Sequence, residues 1–153
     1  MTTLFLMRHG HSPSREECGA RTDALRPLSE RGRRDAERAA AEILRRGGRP
    51  ELILHSPLLR AAQTAAAAGR TLGLTPEAFC ALDNTLPPAE VLAALRERAA
   101  GVAQVLAVGH QPQVGEIAAL LIGASPEFRP ATVAALELSQ RPRALWTLPP
   151  GED

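Results

Sequence analysis

The sequence predicts an α/β protein whose central sheet is mostly parallel and covered by helices on both faces. Short apolar runs alternate with longer stretches of helical period along the chain, the pattern of strands buried on both sides. Several of these runs stop abruptly in polar residues beside Gly, Ser or Pro, as buried strands do at the rim of a sheet. At 153 residues and 44% hydrophobic content, the chain fits a single domain over 1–153 that buries a core without staples.

The first strand is Leu4-Phe5-Leu6-Met7, ending in Arg8-His9-Gly10. Residues 10–28 hold Gly, Pro and Ser without a sustained period and read as a long loop, a length usually reserved for function. A helix follows from Ser29 to Arg46: Ser29 caps it, Ala36, Ala39, Ala40, Ile43 and Leu44 form its apolar stripe, and Gly47-Gly48 end it. Leu52-Ile53-Leu54 is a second strand. Ser56 as N-cap with Pro57 in the first turn then predicts a helix to Gly73, with Leu58, Ala62, Ala65 and Leu72 inward.

Residues 75–82 are the expected third strand. Pro87-Pro88 opens a helix to about Ala100, with Val91, Leu92 and Leu95 inward, and Gly101 breaks it. Val102–Val108 is the fourth strand, running into Gly109-His110-Gln111-Pro112, and a helix spans Val114–Leu121. Thr132–Leu138 and Arg143–Leu148 are two further strands joined by a turn containing Pro.

Composition excludes several functions. A net charge of +1 and four aromatic residues leave no basic, base-stacking surface for nucleic acid. No apolar run approaches the ~20 residues of a membrane span, and no signal-peptide pattern opens the chain, so a soluble cytoplasmic protein is expected. Cys18 and Cys80 form neither a disulfide framework nor a metal knuckle, which fits a reducing compartment. Lysine and tyrosine are absent, which removes the P-loop lysine, Schiff-base chemistry and lysine or tyrosine bases. The arginines of the 29–46 helix alternate with Glu30, Asp35, Glu37 and Glu42 and read as a salt-bridged outer face.

What remains is a constellation of strand ends: Arg8-His9, His55-Ser56 with Arg60 one turn on, and His110. In an open α/β sheet, ligands bind outside the carboxyl ends of the strands, which brings these groups to one rim. Two arginines, a helix N-terminus and histidines without a nearby carboxylate describe a pocket for a phosphoryl group. Neutral imidazole is a nucleophile, and Arg8 and Arg60 disfavour its protonated form. A hydrogen bond from one ring nitrogen to a backbone carbonyl would leave the other nitrogen free to attack. His9, beside Gly10, is the candidate nucleophile, and His110 the candidate donor to phosphoryl oxygens. His11 and His55 are candidate rim residues for substrate.

Two other chemistries use the same residues. His9, His11, His55 and His110 could ligate a metal, although two arginines repel a dication and no flanking Asp or Glu completes the set. A non-catalytic phosphate-binding module would need the same cage.

The residues also carry a family resemblance. Leu6-Met7-Arg8-His9-Gly10 resembles the opening motif of the histidine phosphatase (phosphoglycerate mutase-like) superfamily. Ser56-Pro57-Leu58-Leu59-Arg60-Ala61-Ala62-Gln63-Thr64-Ala65 is similar to its second signature, and Val108-Gly109-His110-Gln111-Pro112 to its third. Asp23-Ala24-Leu25-Arg26-Pro27-Leu28-Ser29-Glu30-Arg31-Gly32 is similar to the short SixA-type phosphohistidine phosphatases. The resemblance implies a three-layer α/β/α fold, transient phosphorylation of His9, and a phosphate held by Arg8, Arg60 and His110 without metal or cofactor.

The sequence departs from the superfamily at one point. Many members carry a mid-chain glutamate that protonates the leaving oxygen, where this chain offers only Asp83 as proton donor. An alkoxide leaves poorly without an acid, whereas a protonated phosphohistidine ring leaves readily. The expected substrate is therefore phosphohistidine on a protein, with a small phosphorylated molecule as the alternative.

Overall fold

A computed structural model describes residues 1–150, so the last three residues of the expected domain lie outside the described ones. Among the described residues six strands form one sheet: β1 (Thr2–Arg8), β2 (Leu52–His55), β3 (Glu77–Ala78), β4 (Gln104–Gly109), β5 (Val133–Leu138) and β6 (Arg143–Leu148). Their order is β3-β2-β4-β1-β5-β6. β3, β2, β4 and β1 pair in parallel, while β5 is antiparallel to both β1 and β6. The sheet is thus mostly parallel, as expected.

Among the described residues five α-helices connect the strands: α1 (Arg15–Cys18), α2 (Glu30–Arg45), α3 (Leu59–Leu72), α4 (Pro88–Arg98) and α5 (Gln113–Ile122). Side chains of a strand alternate between faces, and β1 uses both. Leu4 and Leu6 pack with residues of α4 and α5, including Val91, Leu95, Val114 and Ile117. Phe5 and Met7 pack on the opposite face with α2 and α3 residues such as Ala36, Ile43, Ala61 and Ala65. This gives three layers. Burying a leucine such as Leu6 fully contributes about 2 kcal/mol through apolar area removed from water.

α2 begins where its cap requires: Ser29 Oγ accepts the Gly32 N–H at 3.0 Å. Val91, Leu92 and Leu95 are the buried face of α4. Arginines on α2 pair with Glu30, Glu37 and Glu42 on its surface. Asp35 differs, being buried beside Arg31 and Arg38.

Four expectations need correction. α3 starts at Leu59, with Leu58 rather than Ser56 as N-cap. Ser56 is held extended because its N–H donates to Val108 O at 3.0 Å, carrying the β2–β4 ladder one residue further. The buried small side chains of α3 are Ala61, Thr64, Ala65, Ala67 and Ala68, with Leu58, Ala62 and Leu72 only half-buried, because α3 packs against α2 and its small side chains allow the close approach. The 10–28 segment contains α1, with a capping box between Ser14 and Glu17, and a 3-10 turn at Asp23–Leu25. The third strand shrinks to Glu77–Ala78, because Cys80–Leu82 turns into a 3-10 helix that buries Leu82.

Candidate active site

The parallel ladder builds the site. Arg8 stands opposite Gly109 and His55 opposite Val108, so three neighbouring strands end level with one another. The residues just beyond them, His9, Ser56 and His110, therefore emerge side by side. His9 N–H donates to Gly109 O at 2.9 Å. The His9 and His110 rings lie 5.1 Å apart between centroids, and both side chains are buried.

His9 is oriented by its own turn. A carbonyl can only accept, so Nδ1–H donates to Gly10 O at 2.7 Å and leaves the lone pair on Nε2. Arg60 Nε, from the first turn of α3, points at that Nε2 from 3.4 Å. The turn is itself braced: Gly10 N–H donates to Thr64 Oγ1 at 3.0 Å, and Thr64 Oγ1 donates to Arg60 O at 2.7 Å. One hydroxyl thus ties the His9–Gly10 turn to the helix that carries Arg60. Gly10 must be glycine, because a Cβ there would lie 2.8 Å from Gly32 O on α2.

Two buried polar atoms of this cluster have no partner among the described residues: Arg8 Nε and His110 Nδ1. Arg8 is anchored elsewhere, its Nη1 donating to Phe128 O at 2.9 Å. His110 Nε2 is bonded to Ser56 Oγ at 2.7 Å, which holds the ring with Nδ1 unpaired. Buried donors without partners are costly unless a ligand satisfies them. Beside two guanidinium groups, an anion is the ligand that fits.

Electrostatics keep both imidazoles neutral. Burial is the main cause that pushes His9 down to about 3, with His110, Arg60 and Arg8 adding to it and the Gly10 hydrogen bond opposing. Burial followed by Arg60 lowers His110 to about 4, against the pull of Asp23 and Asp83. Burial and then Arg60 also lower Arg8. The unfolded chain takes up these protons near pH 6.5 and the folded chain only near 4 and 3, so acid favours unfolding. Stability from these histidines is complete above pH 6.5 and declines as pH falls toward the folded values. Thermal melts from pH 7.5 to 5, above the range where carboxylates titrate, are expected to show the decline, and His110→Gln to blunt it. A wild-type midpoint unchanged to pH 5 would contradict neutral buried rings.

Asp83 is half-buried, and its Oδ1 accepts from Thr85 N at 3.1 Å and from Thr85 Oγ1 at 2.5 Å. It acts on His110 through charge. His11 is exposed and donates from Nδ1 to Ser29 Oγ at 2.7 Å, bracing the start of α2. His55 is half-buried, with Nδ1 donating to Ser56 O at 2.8 Å. Among the described residues, no three His, Cys, Asp or Glu side chains form a cluster able to hold a metal ion. Nor is any of the described helices long and apolar enough to cross a membrane.

The expectation of a pocket without a carboxylate is corrected by Asp23. Its Oδ2 accepts from Arg60 Nη2 at 3.1 Å and its backbone O from Nη1 at 2.9 Å. Asp23 lies in the stretch that carries the SixA-type resemblance, yet nothing local to a loop aspartate says which arginine it will meet. Ser56 was legible as a polar strand end, but its bond to His110 was not.

The family model described as histidine phosphatase superfamily (branch 1) matches residues 4–104. Phosphohistidine phosphatase SixA of Escherichia coli K12 is 34% identical over 147 residues, which span 90% of this chain and 86% of that protein. An uncharacterised protein of Picosynechococcus is 38% identical over 115 residues, 74% of this chain and 68% of that one. The structure of the protein histidine phosphatase SixA complexed with tungstate superposes with a TM-score of 0.88 at 29% identity, covering 97% of both chains.

Proposed function

The chain belongs to the histidine phosphatase superfamily (branch 1), as a SixA-like phosphatase, and on that premise we propose that it hydrolyses phosphohistidine on a protein through a phosphoryl group carried transiently by His9. The observation that carries this reading is the state of His9. Its Nδ1–H is engaged by Gly10 O at 2.7 Å, so the ring presents an unprotonated Nε2 to the cluster of Arg8, Arg60 and His110.

In the first step Nε2 of His9 attacks phosphorus in line while the bond to the leaving group breaks. Arg8 Nε and His110 Nδ1, the buried atoms left without partners, are available to the equatorial oxygens together with Arg60. Donors fixed in a site where water is excluded stabilise the transition state without reorganising. The Gly10 carbonyl holds the Nδ1 proton as the ring becomes a phosphoimidazolium. Water then displaces His9 from phosphorus and releases inorganic phosphate. No step in this scheme uses a metal.

Substrate class follows from the leaving group. An alkoxide needs a proton from an acid, and the candidate, Asp83, has its carboxylate engaged by Thr85. A protonated phosphohistidine ring departs as neutral imidazole without such help. The two free cysteines, Cys18 and Cys80, suit the reducing cytoplasm in which such a protein would act.

Phosphate release from a phosphohistidine-bearing protein domain, measured against a panel of alkyl and aryl phosphates, tests the reading. Preference for phosphohistidine by at least tenfold in kcat/KM is the expected result. Equal or faster turnover of an alkyl phosphate would show that an acid reaches the leaving oxygen. The protein would then be a small-molecule phosphomonoesterase, with Asp83 the next residue to replace.

A further inference from the structure

We infer that Asp23 determines the choice of leaving group, its carboxylate accepting the ring N–H of the imidazole that departs from phosphohistidine. The inference rests on the phosphohistidine reading and deepens it. Arg60 carries Nε and Nη2 on one edge of its guanidinium. Nε faces His9 Nε2 at 3.4 Å, and Nη2 is bonded to Asp23 Oδ2 at 3.1 Å. The carboxylate therefore borders the space beside His9 Nε2 that a phosphoryl group must enter.

Asp23 also faces the other way. Its side chain is 58% exposed. It lines an open cleft of roughly 580 Å³ together with Ser14, Arg15, Glu16, Ala20 and Arg26. It stands at the junction between the pocket for the phosphoryl group and the space for the group that carries it.

Charge at this junction gives the residue its effect. Arg15, Arg26 and Arg60 are all cations there, and alone they would repel a protonated imidazole. Asp23 and Glu16 both line the cleft as anions that offset them, and Asp23 is the carboxylate bonded to Arg60. Arg26 takes one bond at Oδ1, at 3.0 Å, and Arg60 one at Oδ2, so acceptor sites remain on a group that offers about four. A phosphomonoester has no ring N–H to give and gains nothing from this contact.

The step balances without a proton transfer. The substrate ring carries phosphorus on one nitrogen and a proton on the other. As His9 Nε2 bonds to phosphorus, the phosphorus–nitrogen bond of the substrate breaks and its electron pair stays on the leaving nitrogen. The imidazole departs neutral with its N–H, and the positive charge now lies on the phosphorylated His9 ring. A carboxylate at the N–H favours the protonated substrate ring and the partly charged ring of the transition state over the free, unprotonated substrate. Its contribution therefore belongs in kcat/KM.

The test is the ratio of kcat/KM for phosphoimidazole to that for p-nitrophenyl phosphate in the wild type and in Asp23→Asn. The amide oxygen of Asn still accepts from Arg60 Nη2, so the variant removes charge while retaining that bond. A fall in the ratio of tenfold or more is expected, with partial recovery in Asp23→Glu. A smaller change, however large the loss on both substrates, would overturn the inference and leave Asp23 as a residue that only orients Arg60. A wild type that hydrolyses p-nitrophenyl phosphate but not phosphoimidazole would overturn the phosphohistidine reading as well, an outcome separate from an unchanged ratio.

Discussion

His9→Ala is expected to lower phosphoryl release by about 10⁴-fold or more, on phosphohistidine and phosphomonoesters alike, the scale of loss when a nucleophile is removed. The variant retains Arg8, Arg60 and His110, so binding of phosphate or vanadate is expected to survive. Activity then fails for want of the attacking Nε2. Rapid quenching of the wild type during turnover, under conditions that preserve acid-labile phosphate, is expected to trap phosphate on the protein, and the variant to trap none. Labelling that persists in His9→Ala would move the nucleophile elsewhere.

Arg60→Ala is expected to cost about 10²- to 10³-fold in turnover, the loss typical of removing one fixed donor to a developing oxyanion. Arg60 is 7% exposed, and its three nitrogens are spread over His9 Nε2, Asp23 Oδ2 and Asp23 O. Lysine would restore the charge but not this spread, since an ammonium is a point charge on a flexible stem. Arg60→Lys is therefore expected to stay within about tenfold of Arg60→Ala in kcat. Recovery to near wild-type turnover would mean that charge alone matters and that the orientation set by Asp23 is incidental. Circular dichroism and a thermal melt separate this loss from unfolding, because removing Arg60 also strips Asp23 of a partner.

Much of this fold is written locally. β1, β4 and the β5–β6 pair are apolar runs bounded by turns, and α2 and α4 announce themselves by Ser29, by Pro87-Pro88 and by stripes that did face inward. α3 is the instructive exception. Its alanines permit several stripes, and only packing against α2 selects Ala61, Ala65 and Ala68. Its cap failed for a related reason: Ser56 and Pro57 satisfy the local rule for a helix start, but the ladder to β4 and the bond to His110 hold Ser56 in the sheet. A tertiary hydrogen-bond network outweighed a capping preference worth about 1 kcal/mol.

For the site, the sequence by itself determined which chemistry was available. Arg8, His9 and His110 lie at or just beyond strand ends and Arg60 in the first turn of the helix that follows β2, and a parallel sheet must bring adjacent ends to one rim, so their meeting followed from topology. The tertiary structure alone decided the finer terms. It set the Gly10 carbonyl against Nδ1 of His9, seated His110 on Ser56, and brought Asp23 across 37 positions of chain onto Arg60. Periodicity and turn signals report where a backbone goes within a few residues. The partner of a single side chain depends on how a long loop folds back, and no local pattern encodes that.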